Sequence, residues 1–203
     1  MSSSRRVVLA SHNAGKLSEL QTQLSQLNLE LVCVPGPASA APEETGGTFV
    51  ENALIKARAA ARATGLPAIA DDSGICVDAL GGAPGIHSAR FAGSGADDDA
   101  NNRLLLARLQ GVAGAARGAS FVCVLVYLRA ADDPLPLIAT GTWRGVVLDA
   151  PRGEGGFGYD PLFGVSAAGP SAAQLPPARK HALSHRGHAC AALRTLLIAE
   201  FAR

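Results

Sequence analysis

The run Pro67-Ala68-Ile69-Ala70-Asp71-Asp72-Ser73-Gly74 constrains this chain more than any other stretch. A short apolar segment leads straight into two adjacent carboxylates, a hydroxyl and a glycine. Bounded by a proline and too short for a helix, Pro67 to Ala70 reads as a buried strand. The acids are then expected at the strand's end, where the loops of an α/β sheet hold ligands. Two neighbouring carboxylates repel one another and are costly to bury without a partner. A divalent cation resolves that conflict. Mg²⁺ suits it best, since it takes one or two carboxylates and completes its shell with water and phosphate oxygens. Asp-Asp-Ser-Gly is also good turn chemistry, so on this stretch alone a solvated turn stays open beside the metal site.

The length of 203 residues fits one large domain or two small lobes. Hydrophobic residues make up 48% of the chain, enough for a full core, but aromatic residues only 4%, so Leu, Val, Ile and Ala are expected to fill it. A formal net charge of +1 and the lack of a long basic run argue against a protein that coats nucleic acid. They leave room for a small phosphate ligand, which needs only a few local cations. Cys33, Cys76, Cys123 and Cys190 are scattered without a CxxC spacing and read as reduced core thiols of a cytoplasmic protein. The N-terminus lacks the apolar stretch of a signal peptide. No segment approaches the roughly 18 uninterrupted apolar residues of a membrane span.

In chain order, Met1 to Ser4 reads as a disordered tail and Val7 to Ala10 as a strand. Ser11-His12-Asn13-Ala14-Gly15-Lys16 follows, and a helix from Leu17 to about Leu27 places Leu17, Leu20, Leu24 and Leu27 on one face. A strand, a polar glycine-containing loop and a helix aim backbone N–H groups and a lysine at one point, which favours phosphate. The spacing is not that of a Walker A loop, and a simply capped helix start accounts for it equally well. Leu29 to Val34 is a second strand. Pro35 to Gly47 is loop and carries Glu43-Glu44, a pair that reads as solvated in isolation. Thr48 with Glu51 forms a capping-box pattern for a helix from Phe49 to about Ala63, ended by Gly65. Lys56 lies at the margin of that helix's apolar stripe and gains a function only beside an anion.

Ile75 to Leu80 is apolar and is expected to continue the sheet edge. Asp97-Asp98-Asp99 opens a helix running through Leu109 and reads as capping that complements the helix dipole. Ala119 to Arg129 is the strongest strand, apolar on both faces and therefore central. Leu137 to Val147 returns as a hairpin partner. The glycine-rich Pro151 to Tyr159 leads into Phe157-Gly158-Tyr159-Asp160-Pro161, with two rings, permissive backbone and a carboxylate. That combination suits a planar base, and equally a loop that anchors the core. Phe163 to Val165 is a short strand. Arg179-Lys180-His181 sits on a short helix, and Ser184 caps the last helix, whose start carries His185 and Arg186.

Taken together, a phosphate loop, acids for a metal (Glu44, Asp71, Asp72), a ring-and-glycine cradle and further donors (Lys56, Lys180, Arg186) fit a Mg²⁺-dependent enzyme acting on a nucleoside triphosphate. The chain also closely resembles a known family, the inosine triphosphate or non-canonical purine NTP pyrophosphatases (Ham1-like). The matching segments are Ala10 to Lys16, Glu43 to Gly46, Phe49 to Ala53, Ala70 to Gly74, Leu80 to Gly85, Gly155 to Pro161 and Ser184 to Gly187. They occur in the family's order along nearly the whole chain from Val7.

The resemblance implies a single α/β domain over 1–203, built on an elongated mixed twisted sheet flanked by helices, with two lobes and an active cleft between them. It implies a homodimer in the cytoplasm that hydrolyses ITP, dITP and XTP to the monophosphate and pyrophosphate, cleansing the nucleotide pool. By motif, Ser11, His12, Asn13, Ala14, Gly15 and Lys16 bind the triphosphate. Glu44 and Asp72 hold Mg²⁺, Asp72 accepts the proton of the attacking water, and Asp71 assists. Ser73 contacts substrate, Lys56 pairs with phosphate or the acids, and Phe157, Gly158, Tyr159 and Asp160 meet the purine. Lys180, His185 and Arg186 complete the pocket. A pyrophosphatase for modified pyrimidine nucleotides, of the septum-inhibitor type, shares this architecture but should lack Ser184-His185-Arg186-Gly187. A non-catalytic nucleotide sensor needs the pocket without the acids.

Overall fold

The computed structural model describes residues 4–11, 20–36 and 41–202. The expected phosphate loop from His12 to Lys16, the start of the helix after it, residues 37–40 of the next loop and the tail before Ser4 lie outside them.

Six strands form one mixed sheet: β1 (Arg5–Leu9), β2 (Leu29–Cys33), β3 (Ala68–Val77), β4 (Gly118–Leu128), β5 (Leu137–Val147) and β6 (Phe163–Gly164). Their order across the sheet is β2-β1-β3-β4-β5-β6. β1 runs parallel to β2, with Val7 opposite Leu31, and parallel to β3, with Leu9 opposite Ile69, whereas β5 and β6 are antiparallel. β4 lies between β3 and β5, the interior place expected of a strand apolar on both faces. The connection 129–136 from β4 to its neighbour β5 is too short for the crossover a parallel return requires, so the pair is the expected hairpin. Besides a helical stretch over residues 20–23, whose approach lies outside the described residues, the helices are α1 (Phe49–Thr64), α2 (Asp98–Arg108), α3 (Pro177–Leu183) and α4 (His185–Phe201). No helix among the described residues is long and apolar enough to cross a membrane.

The chain packs as two compact units. The first comprises Met1–Asp72, Cys123–Gly141 and His188–Arg203. Strand alternation sorts its sheet residues onto two faces. Val8, Ala68, Ala70, Val124, Val126 and Leu128 meet Ala53, Ala57, Ala60 and Ala61 of α1. Val7, Leu9, Leu31, Ile69, Cys123, Leu125 and Tyr127 meet Leu20, Leu24 and the α4 residues Ala189, Cys190, Leu193 and Leu197. The alanine stripe of α1 brings its backbone close to the sheet, which fixes where its polar residues emerge. Both ends of α1 follow the sequence signals. The Thr48 hydroxyl accepts the Glu51 N–H at 3.3 Å and donates to the Glu51 carboxylate at 2.9 Å. Gly65 closes the helix at φ 68° with its N–H on the Ala61 carbonyl.

The second unit comprises Ser73–Val122 and Thr142–Gly187. Its core departs from the aliphatic expectation. Phe121, Trp143, Tyr159 and Phe163 gather with Ile75, Val77, Leu105, Leu109 and Leu162. The rings of Phe121 and Phe163 lie 4.5 Å apart and those of Trp143 and Phe163 4.9 Å apart. A low aromatic content thus hides a local concentration. Arg117, 7% exposed, staples this unit by donating to the carbonyls of Val147 (2.8 Å), Leu148 (3.0 Å), Leu109 (3.1 Å) and Val112 (3.3 Å).

Two expectations for the central stretch need correction. β3 does not stop before the acids but runs through Asp71 and Asp72 to Val77, which also removes the solvated-turn reading. A cation, Lys56 of α1, stands beside Asp72 there. The sheet-edge continuation is only partly realised, since Asp78–Leu80 turn off as a 3₁₀ segment. Gly74 is needed for space: a Cβ there would collide with the Gly85 carbonyl oxygen and with the Ser88 hydroxyl, which donates to that oxygen at 2.6 Å and accepts the Ile75 N–H at 2.9 Å. Gly74→Ala is expected to destabilise the protein by about 2 kcal/mol through overpacking, measured by urea denaturation. An unchanged midpoint would show that the 85–88 turn gives way freely.

Candidate active site

The first unit holds an acid cluster around one lysine. Lys56 leaves α1 three residues after the buried Ala53 and places its Nζ 2.8 Å from Glu44 Oε1 and 2.9 Å from Asp72 Oδ1. The three side chains keep only 17%, 25% and 10% of their surface exposed, respectively. Burial alone would lower the Lys56 pKa. The Asp72 charge and hydrogen bonds to Glu44 and Asp72 outweigh it, so the ammonium is held above its ordinary value. Burial pushes the Asp72 carboxyl up; Lys56 pulls it back only in part, while Glu44 and Asp71 push it further. One lysine therefore serves more negative charge than it can neutralise.

Asp72 Oδ2 is buried and has no hydrogen-bond partner among the described residues. A buried carboxylate oxygen in that state is costly unless a further positive group or donor meets it. Mg²⁺ fits this donor set, because it needs only one or two carboxylates and fills its remaining positions from water and phosphate. No three His, Cys, Asp or Glu side chains among the described residues form a group that could hold a metal ion. Glu44 is held in register from behind. The buried Asn52 on α1 accepts the Gly46 N–H through Oδ1 at 2.8 Å, and Gly46 lies against Glu51 and Asn52 with no room for a side chain.

The second unit holds a ring-and-cation cluster. Phe157 keeps 62% of its surface exposed. Lys180 Nζ stands 5.0 Å and the Arg186 guanidinium 5.8 Å from its ring centre, within cation–π range. Lys180 is fixed by Asp160 Oδ2 at 2.5 Å, and the same oxygen accepts the Phe157 N–H at 2.8 Å. Gly156, at φ 79°, must be a glycine, because a Cβ there would strike the Asp160 carboxylate. Arg186 is 6% exposed and donates through Nη2 to the Ser73 hydroxyl at 3.3 Å. His185 stacks on Phe121 with ring centres 4.8 Å apart. Ser184, whose hydroxyl accepts the Gly187 N–H at 3.0 Å, caps α4 as its sequence indicated.

The structure therefore brings Glu44, Lys56 and Asp72 together, with Asp71 beside them, and separately brings Ser73, Phe157, Asp160, Lys180 and Arg186 together. His12, Asn13, Ala14, Gly15 and Lys16 lie outside the described residues; Ser11 lies two residues beyond the end of β1. Tyr159 differs from Phe157 in exposure. It is 5% exposed, sits in the aromatic core and donates its hydroxyl to the Ser88 carbonyl at 2.8 Å. Burial, and secondarily the Asp98 charge, hold its pKa well above the ordinary phenol value. Tyr159 thus anchors the loop whose exposed ring is Phe157.

The acidic run 97–99 also does more than expected. Asp97 caps α2, accepting the Ala100 N–H at 2.7 Å, but Asp98 accepts the Gly158 N–H at 2.6 Å. The sequence reading also passed over Asn101 and Asn102. Two consecutive asparagines inside a helix are poor helix formers, and that oddity was the available signal. Asn101 Oδ1 accepts the Ala92 N–H at 2.8 Å, and Asn102 Nδ2 donates to the Gly158 carbonyl at 2.9 Å.

A model of the Ham1 family matches residues 7–196. A Methylococcus capsulatus protein named dITP/XTP pyrophosphatase is 58% identical over 195 residues, 95% of this chain and 96% of its own length. An Escherichia coli K12 protein of the same name is 52% identical over 185 residues, 91% and 94% of the two chains. Among solved structures, a HAM1 protein from Coxiella burnetii superposes with a TM-score of 0.88 at 44% identity, covering 96% of this chain and 99% of its own. The Staphylococcus aureus Ham1 protein superposes at 0.85 with 38% identity, over 97% and 100%.

Proposed function

Because this chain belongs to the Ham1 family, we propose that it hydrolyses the non-canonical purine nucleotides ITP, dITP and XTP to their monophosphates, releasing pyrophosphate. The observation that carries the reading is the acid cluster. Asp72 is hydrogen-bonded to a lysine through one oxygen and keeps the other buried without a hydrogen-bond partner among the described residues. In this reading Glu44 and Asp72 would hold Mg²⁺, which would supply charge neutralisation for the triphosphate and Lewis acidity for the hydrolysis. Asp72 takes the proton of the attacking water. Lys56 stays an ammonium, keeps Asp72 oriented through Oδ1, and limits the repulsion from Asp71 and Glu44. Ser11, His12, Asn13, Ala14, Gly15 and Lys16 bind the polyphosphate.

Phe157 offers a stacking surface for the purine, and Asp160 keeps Lys180 against that ring. Arg186 or His185 supplies a donor to the 6-oxo group of hypoxanthine or xanthine. Adenine carries an amine there and leaves such a donor unsatisfied, which can discriminate by roughly 10⁴-fold. The cytoplasm and a homodimer complete the proposal. None of the four cysteines is in a disulfide, as suits a reducing compartment, and the dimer rests on the family alone.

The test is incubation with Mg²⁺ and a panel of nucleoside triphosphates while pyrophosphate and orthophosphate are both measured. Pyrophosphate released from ITP, dITP and XTP, and little from ATP, is the expected result. Orthophosphate as the first product, or a preference for pyrimidine nucleotides, overturns it.

A further inference from the structure

The exposed Phe157 ring sits on a loop whose backbone is gripped from α2 as well as by its own neighbours. Gly158 has a left-handed backbone, φ 61°, with open space where a Cβ would stand. Both of its polar groups are taken by distant side chains, 60 and 56 positions earlier in the chain. The N–H goes to Asp98 Oδ2 at 2.6 Å, and the carbonyl receives Asn102 Nδ2 at 2.9 Å. Asp98 and Asn102 are four apart on α2, so both face the same side of the helix and reach the N–H and the carbonyl of one residue, one group from each of the peptide units that flank it. The Asp98 bond is charge-assisted and short. Asn102 is 7% exposed, so its bond is shielded from competing water. On either side the loop is fixed as well, by Asp160 Oδ2 on the Phe157 N–H and by the Tyr159 hydroxyl on the Ser88 carbonyl.

We infer that Asp98 and Asn102 are positioning residues: by holding Gly158 at both its N–H and its carbonyl, they set the Phe157 ring between Lys180 and Arg186 and so determine how tightly the site holds a planar base. The inference rests on the role proposed above for Phe157. Without the clamp, the glycine-rich loop regains backbone freedom, and ordering it becomes part of the cost of binding the base. That cost falls on the base half of the ligand. The polyphosphate half, which meets neither residue, is bound as before.

The experiment compares wild type with Asp98→Ala, Asn102→Ala and the conservative Asp98→Asn, using inosine monophosphate and inorganic tripolyphosphate as separate binding probes. Asp97→Ala serves as the control, since it removes the cap of the same helix without touching Gly158. Expected results are a roughly tenfold or larger loss of inosine monophosphate affinity in the two alanine variants, an unchanged tripolyphosphate affinity, and a KM for ITP raised more than kcat is lowered. Asp98→Asn keeps an acceptor oxygen and recovers most of the affinity. The Gly158 amide exchanges faster with solvent in Asp98→Ala, which reads the clamp directly in the ligand-free protein. Inosine monophosphate affinity within twofold of wild type in both alanine variants overturns the inference, as does an equal loss in Asp97→Ala. Wild-type protein that neither cleaves ITP nor binds inosine monophosphate overturns the proposed function along with it. A wild type that does both, and loses neither with the clamp, overturns the clamp alone.

Discussion

Asp72→Asn is expected to lower ITP hydrolysis by about 10³-fold, the scale of a lost general base, while leaving the ligand-free protein at least as stable as wild type. The two halves of that expectation have one cause. Burial outweighs the help of Lys56 and holds the Asp72 carboxyl above its ordinary pKa, with Glu44 and Asp71 adding to the effect. The folded state therefore binds this proton more tightly than the unfolded chain does. Its contribution to stability is fully present below the unfolded pKa and is lost as pH rises through the folded one. At neutral pH the ionised carboxylate is a net burden, kept for its chemistry. Asparagine has no such burden and cannot take a proton from water, and Lys56 keeps Glu44 as a partner at 2.8 Å. Pyrophosphate release gives the first half and urea denaturation without Mg²⁺ the second. Near-normal turnover would remove Asp72 from the role of base, and a marked loss of stability would mean that its bond to Lys56 outweighs its desolvation.

Lys56→Met should have the opposite signature. The methionine keeps most of the apolar stem but leaves Glu44, Asp71 and Asp72 without the ammonium that serves them. Removing one partner of a fully buried pair costs about 3–5 kcal/mol. Here the side chains are partly open, so a loss of about 2 kcal/mol at pH 7 is expected. Without the lysine, the Asp72 carboxyl loses the group that pulls its pKa back and rises further above its ordinary value. The deficit should therefore shrink as pH falls through the carboxylate range, where the acids become neutral. A hard divalent cation substitutes for the missing charge, so millimolar Mg²⁺ should restore more stability to the variant than to wild type, while Na⁺ at equal ionic strength should not. Equal destabilisation with and without Mg²⁺ would argue that the acids do not form a cation site. Together the two substitutions separate a residue kept for reaction from one kept for electrostatic balance.

Much of this protein could be read from local pattern. The Thr48 cap and Gly65 stop of α1, the Ser184 cap of α4, the interior place of β4 and the hairpin to β5 all depend on neighbours in the chain. Turn chemistry, capping and strand periodicity act over a few residues, so the amino-acid order carries them directly. Reading Asp71 and Asp72 as the end of a strand failed for a related reason. β3 runs on through both acids to Val77, and the cation beside Asp72 comes from another element, Lys56 of α1.

The order of residues alone thus determined the elements, the family motifs and the identity of the groups able to carry chemistry. Only tertiary structure decided which of those groups meet. Lys56 and Asp72 are 16 positions apart, Asp98 and Gly158 are 60 apart, and Ser73 and Arg186 are 113 apart. Folding also turned Tyr159 inward to the core and left Phe157 outward, although the two rings flank a single glycine. No local rule distinguishes them: their fates depend on whether the surrounding space is filled by Ser88 and Phe163 or left open beside Lys180 and Arg186. Burial, charge balance and hydrogen-bond satisfaction are properties of assembled neighbours, and those neighbours exist only once the sheet has drawn distant segments together.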